Sequence, residues 1–339
     1  MLQERELTQP VDLSLPNGLL NPQAVGWSRQ PIQNCQLYGR PLRKKRWNYW
    51  CITSSTHLFS VTLSNVDYAG LPFVYFLDFT SGEFIEKTII TPFGKGIQLG
   101  DHVKDDAIYE GKDGQISMLH SEGGITFRIR LYDFGGKSLQ ADFLINEPEK
   151  HESLNVVVPW NERLFQFTAK NNTLPVEGSV SLGENVVRFD HADSFATLDF
   201  GRGIWPYAGF WNWASFSTRL PDGRTLGGNF GAGWTDNTGS NENALCVDGR
   251  LIKLSEDLIF DYSTREFKAP WRISTAETAR VDLVFTPFFE RVAKSDMVIV
   301  RSEVHQMIGH FNGTVLGEDG EVIAVRQAVG WAEDHHARW

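Results

Sequence analysis

Residues 198–217 read LDFGRGIWPYAGFWNWASFS, and residues 38–49 read YGRPLRKKRWNY. Each carries an aromatic residue, Gly-Arg, a Pro or Gly, and then Trp-Asn with another aromatic. The offset is 162 at the Gly-Arg end and 164 at the Trp-Asn end, and Asn65 and Asn229 keep the 164 spacing. A second echo pairs EGSVSLGENVVRF (177–189) with NGTVLGEDGEVIAV (312–325), each near the close of a half. Two matches in the same order are the mark of a tandem duplication. In a chain of 339 residues they predict a first unit over 20–180 and a second over 181–339, after an irregular lead-in at 1–19.

Outward from these blocks, short apolar stretches recur between turn residues. Residues 50–63 (WCITSSTHLFSVTL), 71–79 (LPFVYFLDF) and 124–131 (GITFRIRL) are the clearest, with 139–145, 164–169, 186–189, 195–200, 279–286 and 297–304 after them. Many alternate apolar and polar side chains, the period of a strand with one buried face, and no long window keeps a helical period. The 31 Gly, 11 Trp and 23 Phe suit turns and pleated surfaces. The expected fold is all-β: two tandem antiparallel β-barrels or sandwiches packed together.

Net charge is −10, which disfavours bulk nucleic-acid binding. The basic run Arg43-Lys44-Lys45-Arg46 reads as a solvated strand approach, with a phosphate or membrane patch as the alternative. No stretch is apolar for the ~20 residues a membrane span needs. The polar Met1 to Pro10 lacks a signal-peptide core. Cys35, Cys51 and Cys246 form no CxxC pair. These features point to a cytoplasmic chain without a disulfide framework or a thiolate zinc site.

Chemistry concentrates in two places. As a strand, the middle block puts Trp211, Trp213 and Ser215 on one face and Phe210, Asn212, Ala214 and Phe216 on the other. Both faces are then buried. The indoles of Trp205, Trp211 and Trp213, with Tyr207 and Asn229, either line an apolar ligand pocket or fill a core. Asp199 and Arg202 bracket Phe200-Gly201. They form either a fold-fixing salt bridge, or an arrangement in which Asp199 faces an apolar lumen with a raised pKa that a nearby Arg202 would oppose. The second place is GWAEDHHARW (330–339), where Glu333 is a candidate acid and His336 a candidate proton shuttle. Alternation separates Glu333 and His335 from Asp334 and His336, so no metal set is predicted. The other reading is a C-terminal strand whose Trp339 closes a barrel end. No nucleophile elbow or phosphate loop occurs, and the glycines of GGNFGAG (227–233) suit close backbone approach.

The segments NPQAVGWSRQP (21–31), RWNYW (46–50), DFGRGIWPYAGFWNWAS (199–215) and AEDHHARW (332–339) resemble a bacterial family known as domain of unknown function 2804, almost end to end. The middle block is more distantly similar to the central signature of the carotenoid hydratase (hydroxyneurosporene synthase) and AttH-like group, and tocopherol cyclase shares that plan. This resemblance implies two lipocalin-like (calycin-type) barrels. The Asp-His…Trp-Gly pattern of that group is replaced by Asp199-Phe200-Gly201-Arg202, so Asp199 alone carries over.

Two functions follow as expectations. One is a cofactor-independent hydratase, cyclase or isomerase for a terpenoid or polyene-like molecule in a closed, dry lumen. There Asp199 or Glu333 protonates a double bond, the indoles stabilise the cation, and Asn229 or His336 positions water. The alternative is a carrier for a lipid-like ligand, with Arg202 on its head group. A scaffold with filled barrels is the third possibility.

Overall fold

The computed structural model describes residues 2–296 and 301–338. The strand expected over 297–304 is therefore seen from Arg301 onward, and Trp339 lies outside the described residues. Alternation and turn chemistry give strands nearly everywhere. Among the described residues the helical element is a 3-10 turn, Pro22–Ala24, opened by Pro22 and capped by the Asn21 side chain. No described helix is long and apolar enough to cross a membrane.

Two large antiparallel sheets carry the fold. The first runs from Ile97–Leu99 through Ala107–Gly111, Gly114–Ser121, Gly124–Phe134, Lys137–Ile145 and Leu164–Leu182 to Phe195–Ile204, Lys44–Thr53 and His57–Asn65. It curls until Ile97–Leu99 touches Lys44–Thr53 and His57–Asn65. The second runs from Arg250–Lys253 through Ala244–Val247, Thr225–Ala232, Ala208–Arg219, Val322–Arg338, Arg301–Leu316, Val281–Asp296 and Trp271–Thr275 to Leu258–Asp261, which returns against Thr225–Ala232. The all-β reading holds, as two curled half-barrels consistent with tandem lipocalin-like barrels. The chain passes from the first sheet to the second at 205–207. Phe195–Ile204 stays in the first sheet because it pairs along its whole length with Lys44–Thr53.

The repeated blocks occupy matching places. Lys44–Thr53 lies in the first sheet between His57–Asn65 and Phe195–Ile204, while Ala208–Arg219 lies in the second between Thr225–Ala232 and Val322–Arg338. Tyr49 and Trp213, at the 164 offset, pack edge-on across the two sheets with ring centroids 5.5 Å apart. The glycines of the second echo also match in role. Gly178 (φ 157°) and Gly313 (φ 139°) sit where a Cβ would come within 2.1 Å of Asp142 O and 2.2 Å of Asp282 O, so only glycine fits.

Both half-barrels are filled by their own side chains. Trp50, Phe59, Phe127, Phe165, Phe167 and Phe200 pack inside the first. Phe216, Phe230, Trp271, Phe285 and Phe311 pack inside the second. This corrects the expected dry lumen: the alternating strands send large apolar residues to the interior, and polar chemistry is displaced to the opposite face.

Candidate functional site

That opposite face is the layer between the two sheets. From the first sheet, alternation turns Gln166, Thr168 and Lys170, Asp199, Trp47 and Tyr49, and Tyr75 towards the second sheet. From the second it brings Trp211, Trp213, Asn229, Arg291, Gln306, Trp331 and Glu333. An apolar cluster of Tyr49, Cys51, Leu58, Tyr75, Leu77, Trp213, Ile308 and Trp331 joins them.

Asp199 lies in this layer, and Arg202 does not. Residues three apart on a continuous strand face opposite ways, and no turn interrupts Phe195–Ile204. Arg202 is sealed inside the first half-barrel at 0% exposure. Its guanidinium donates to Trp47 O, Gly201 O, Gly100 O and Asn48 Oδ1, and lies 3.7 Å from the centroid of the Phe200 ring. The expected Asp199–Arg202 bridge is absent, and so is any grip of Arg202 on a ligand head group.

Lys170 takes the place given to Arg202. Its Nζ stands 2.9 Å from Asp199 Oδ1 and 3.1 Å from Glu242 Oε2, and 4.4 Å from the centroid of the Trp213 ring. Burial lowers the Lys170 pKa, but the charges of Asp199 and Glu242 overcome it and the net shift is upward. Burial raises Glu242, opposed by Lys170. Thr168 Oγ1 also donates to Asp199, so both partners of that carboxylate are donors. Glu242 comes from the loop after Thr225–Ala232 and accepts from Trp234 Nε1 at 2.7 Å. It passes where Gly231 has no side chain; a Cβ there would sit 2.3 Å from Glu242 Oε1. The close approach expected of GGNFGAG is thus made by this carboxylate. Gly231→Ala is expected to cost on the order of 2 kcal/mol in urea unfolding, by pushing Glu242 off Lys170. Unchanged stability would mean that Glu242 relocates without loss.

Glu333 is the other acid of the layer. It is 7% exposed, accepts from Trp211 Nε1 at 3.2 Å and from Gln306 Nε2 at 3.3 Å, and has no ion-pair partner among the described residues. Burial raises its carboxyl to about 7, against the Trp211 hydrogen bond and the positive charge of Arg291. Arg291 is itself held by Glu86 and lies over the Tyr75 ring, 4.5 Å from its centroid. From Gln306 the hydrogen bonds continue: Tyr75 OH reaches Gln306 Oε1 at 2.8 Å, and Tyr49 OH lies 2.9 Å from Tyr75 OH.

Indoles flank both acids. Trp205 is buried, donates to Gln166 Oε1 at 2.7 Å, and contacts Trp160, Trp234, Trp211 and Trp47 with centroids 4.8 to 6.2 Å apart. Trp47, Trp160 and Trp211 are half-buried at the margin of the layer. Trp213 is enclosed, with Lys170 over one face and its Nε1 on Asn229 Oδ1 at 2.8 Å. Asn229 in turn donates to Glu242 O at 2.6 Å.

Two predicted residues lie elsewhere. Tyr207 is 55% exposed. His336 points away from Glu333, with its side chain 63% exposed and Nε2 3.2 Å from Asp334 Oδ1. His335 takes the inward position, with its ring tilted against Trp211 at a centroid distance of 4.0 Å and paired with Ser302 Oγ at 2.8 Å. Burial depresses its pKa to about 3, so it stays neutral. Sequence reasoning misses Lys170, Glu242, Gln306, Tyr49, Tyr75, Arg291 and His335 as site residues. The available signal is the alternation in FQFTAK (165–170), which sets Gln166, Thr168 and Lys170 on one face.

Fold and geometry together define a double half-barrel protein with a buried, acid-bearing layer between its sheets. The chain belongs to the family of the domain of unknown function DUF2804, whose model matches residues 4–339. Three solved structures are similar. A protein assigned as AttH from Nitrosomonas europaea is 14% identical over 87% of this chain and 92% of its own, with a TM-score of 0.50. CghA, solved with Sch210972, is 9% identical over 88% of this chain and 89% of its own, at 0.54. Kievitone hydratase from Nectria haematococca is 9% identical over 88% and 90%, at 0.43. At these identities the likeness is one of fold. No curated protein matches the chain in sequence.

Proposed function

We propose that the inter-sheet layer is the active site of a cofactor-independent acid catalyst, a hydratase, cyclase or isomerase, for an apolar unsaturated small molecule. The observation that carries this reading is Glu333, a buried carboxyl without an ion-pair partner among the described residues, poised at about 7 beside the indole of Trp211. A general acid works best when its pKa is near the operating pH. Protonated Glu333 gives its proton to one alkene carbon, leaving a carboxylate and a cation on the other carbon. An indole face contributes roughly 2 kcal/mol to a contact with such a cation when water is excluded, and the half-buried Trp47, Trp160 and Trp211 at the margin of the layer supply the indoles. Water then adds to the cation and returns a proton to Glu333, so hydration is balanced without a redox partner. Loss of a different proton gives an isomer, and attack by a second double bond, followed by loss of a proton from the resulting ring cation, gives a ring. Asp199, held as an acceptor by Lys170 and Thr168, takes the proton lost in the isomerisation case, and exchange with solvent then deprotonates Asp199 and reprotonates Glu333.

The test is to incubate the protein with a cell lipid extract and follow masses and retention times. Hydration appears as a compound heavier by one water, and cyclisation or isomerisation as an unchanged mass with altered retention. A compound retained by the protein but never altered favours the carrier reading. Retention of nothing apolar contradicts both readings.

A further inference from the structure

One end of the first sheet combines charge, exposure and backbone strain in a way the chemistry of Glu333 does not use. The strand Lys44–Thr53 begins there, His57–Asn65 ends there, and Phe195–Ile204 ends there, since Arg46 pairs with Asn65 and Lys44 with Ile204. The loop 38–43 leads in, and the segment 90–96 joins by Phe93 N donating to Tyr68 O at 3.0 Å. Two bulky apolar side chains stand at its tips, Leu42 at 55% and Phe93 at 73% exposure, with Ile90 at 61% beside the latter. Leu42 (φ 66°) and Phe93 (φ 53°) both hold left-handed backbone. Gly or Asn would relax there, whereas Leu and Phe are disfavoured. Strain retained at an exposed position points to a use for the side chain.

The same end carries Arg40, Arg43, Lys44, Arg46 and Lys95 on a chain of net charge −10. Asp67 lies among them and takes Arg46 Nη2 at 3.3 Å and Lys44 N at 3.1 Å, and Glu110 N donates to Gly96 O beside Lys95 at 2.9 Å. Arg43 Nη2 donates to Trp205 O at 2.8 Å, which couples this end to the tryptophan cluster. Nucleic acid would use the cations and leave Leu42 and Phe93 in water. An anionic lipid surface takes both, with phosphates against the cations and the apolar tips among the acyl chains. The acidic remainder of the surface is repelled by such lipid, which fixes this end as the one that faces it.

We propose that this end of the first sheet docks on an anionic lipid surface, with Leu42 and Phe93 inserted and the basic residues on the head groups. The proposal goes beyond the reading of Glu333 and does not need it, although it would bring an apolar substrate to the margin marked by Trp205.

Flotation of the full chain with phosphatidylcholine vesicles, with and without phosphatidylserine, tests it. The chain is expected to float with the phosphatidylserine vesicles and to be released in roughly 1 M salt, where the screening length falls to about 3 Å. Leu42→Ser with Phe93→Ser, and separately Lys44→Glu with Lys95→Glu, should each weaken binding by about tenfold or more, with unfolding curves unchanged. Val322→Ser, which removes an exposed apolar residue of the second sheet, should bind as the parent does. Flotation with no vesicle, equal flotation without phosphatidylserine, or variants that bind like the parent would each overturn the proposal.

Discussion

Glu333→Gln is expected to lower turnover by roughly a hundredfold to ten-thousandfold, the range a positioned general acid contributes, while retention of the apolar compound is unchanged. The amide keeps the shape of the side chain and can still accept from Trp211, but it has no proton of suitable acidity. A role confined to packing would leave turnover near that of the parent. Activity of the parent should fall as pH rises through about 7, because the active form is the neutral acid. Stability should follow the same group. The folded-state pKa is raised from 4.5, so the unfolded chain ionises first and the stabilising preference for the neutral form is complete below about 4.5 and lost as pH rises to about 7. The full span is about 3–4 kcal/mol, from a shift of 7 − 4.5 = 2.5 at about 1.4 kcal/mol per pH unit. Glu333→Gln should abolish that slope.

The second large effect concerns the ion triad. Lys170→Met is expected to destabilise the protein by about 3–5 kcal/mol, because it strands the two buried carboxylates Asp199 and Glu242 without their cation. Adding Asp199→Asn and Glu242→Gln to Lys170→Met should recover much of the loss, since the penalty lies in unpaired charge rather than in missing contacts. Chemical unfolding of the single and triple variants measures both. If the triple variant were no more stable than Lys170→Met, lost packing of the lysine stem over Trp213 would account for the destabilisation instead. The triad also spans the two sheets, so its loss should be felt in the packing of one on the other.

The fold was legible because its signals are local and periodic. Alternation in GITFRIRL (124–131) appears in the strand as buried Ile125, Phe127, Ile129 and Leu131. The 164-residue offset matches Trp47 with Trp211 and Tyr49 with Trp213, and those residues meet between the sheets. The candidate site was legible in part. Asp199, Glu333, Trp205, Trp211, Trp213 and Asn229 do converge on the layer, whereas Arg202, Tyr207 and His336 do not join it. Arg202 departs from expectation because the strand continues where a turn would have been needed. The larger difference is one of faces: the polar side of Leu164–Leu182 looks solvated in one dimension, and it is buried only because a second sheet, distant in sequence, covers it. Glu242 carries no local signal at all, since it belongs to a loop whose approach to Lys170 depends on the absence of a side chain at Gly231.

The most direct test is a pH titration of side-chain carboxyls by NMR with labelled glutamate, comparing the parent with Glu333→Gln. A resonance absent from the variant that titrates near 7 is the predicted result. If that resonance instead titrates at about 4.3, as an ordinary glutamate does, Glu333 is ionised at neutral pH and the layer holds no proton to give.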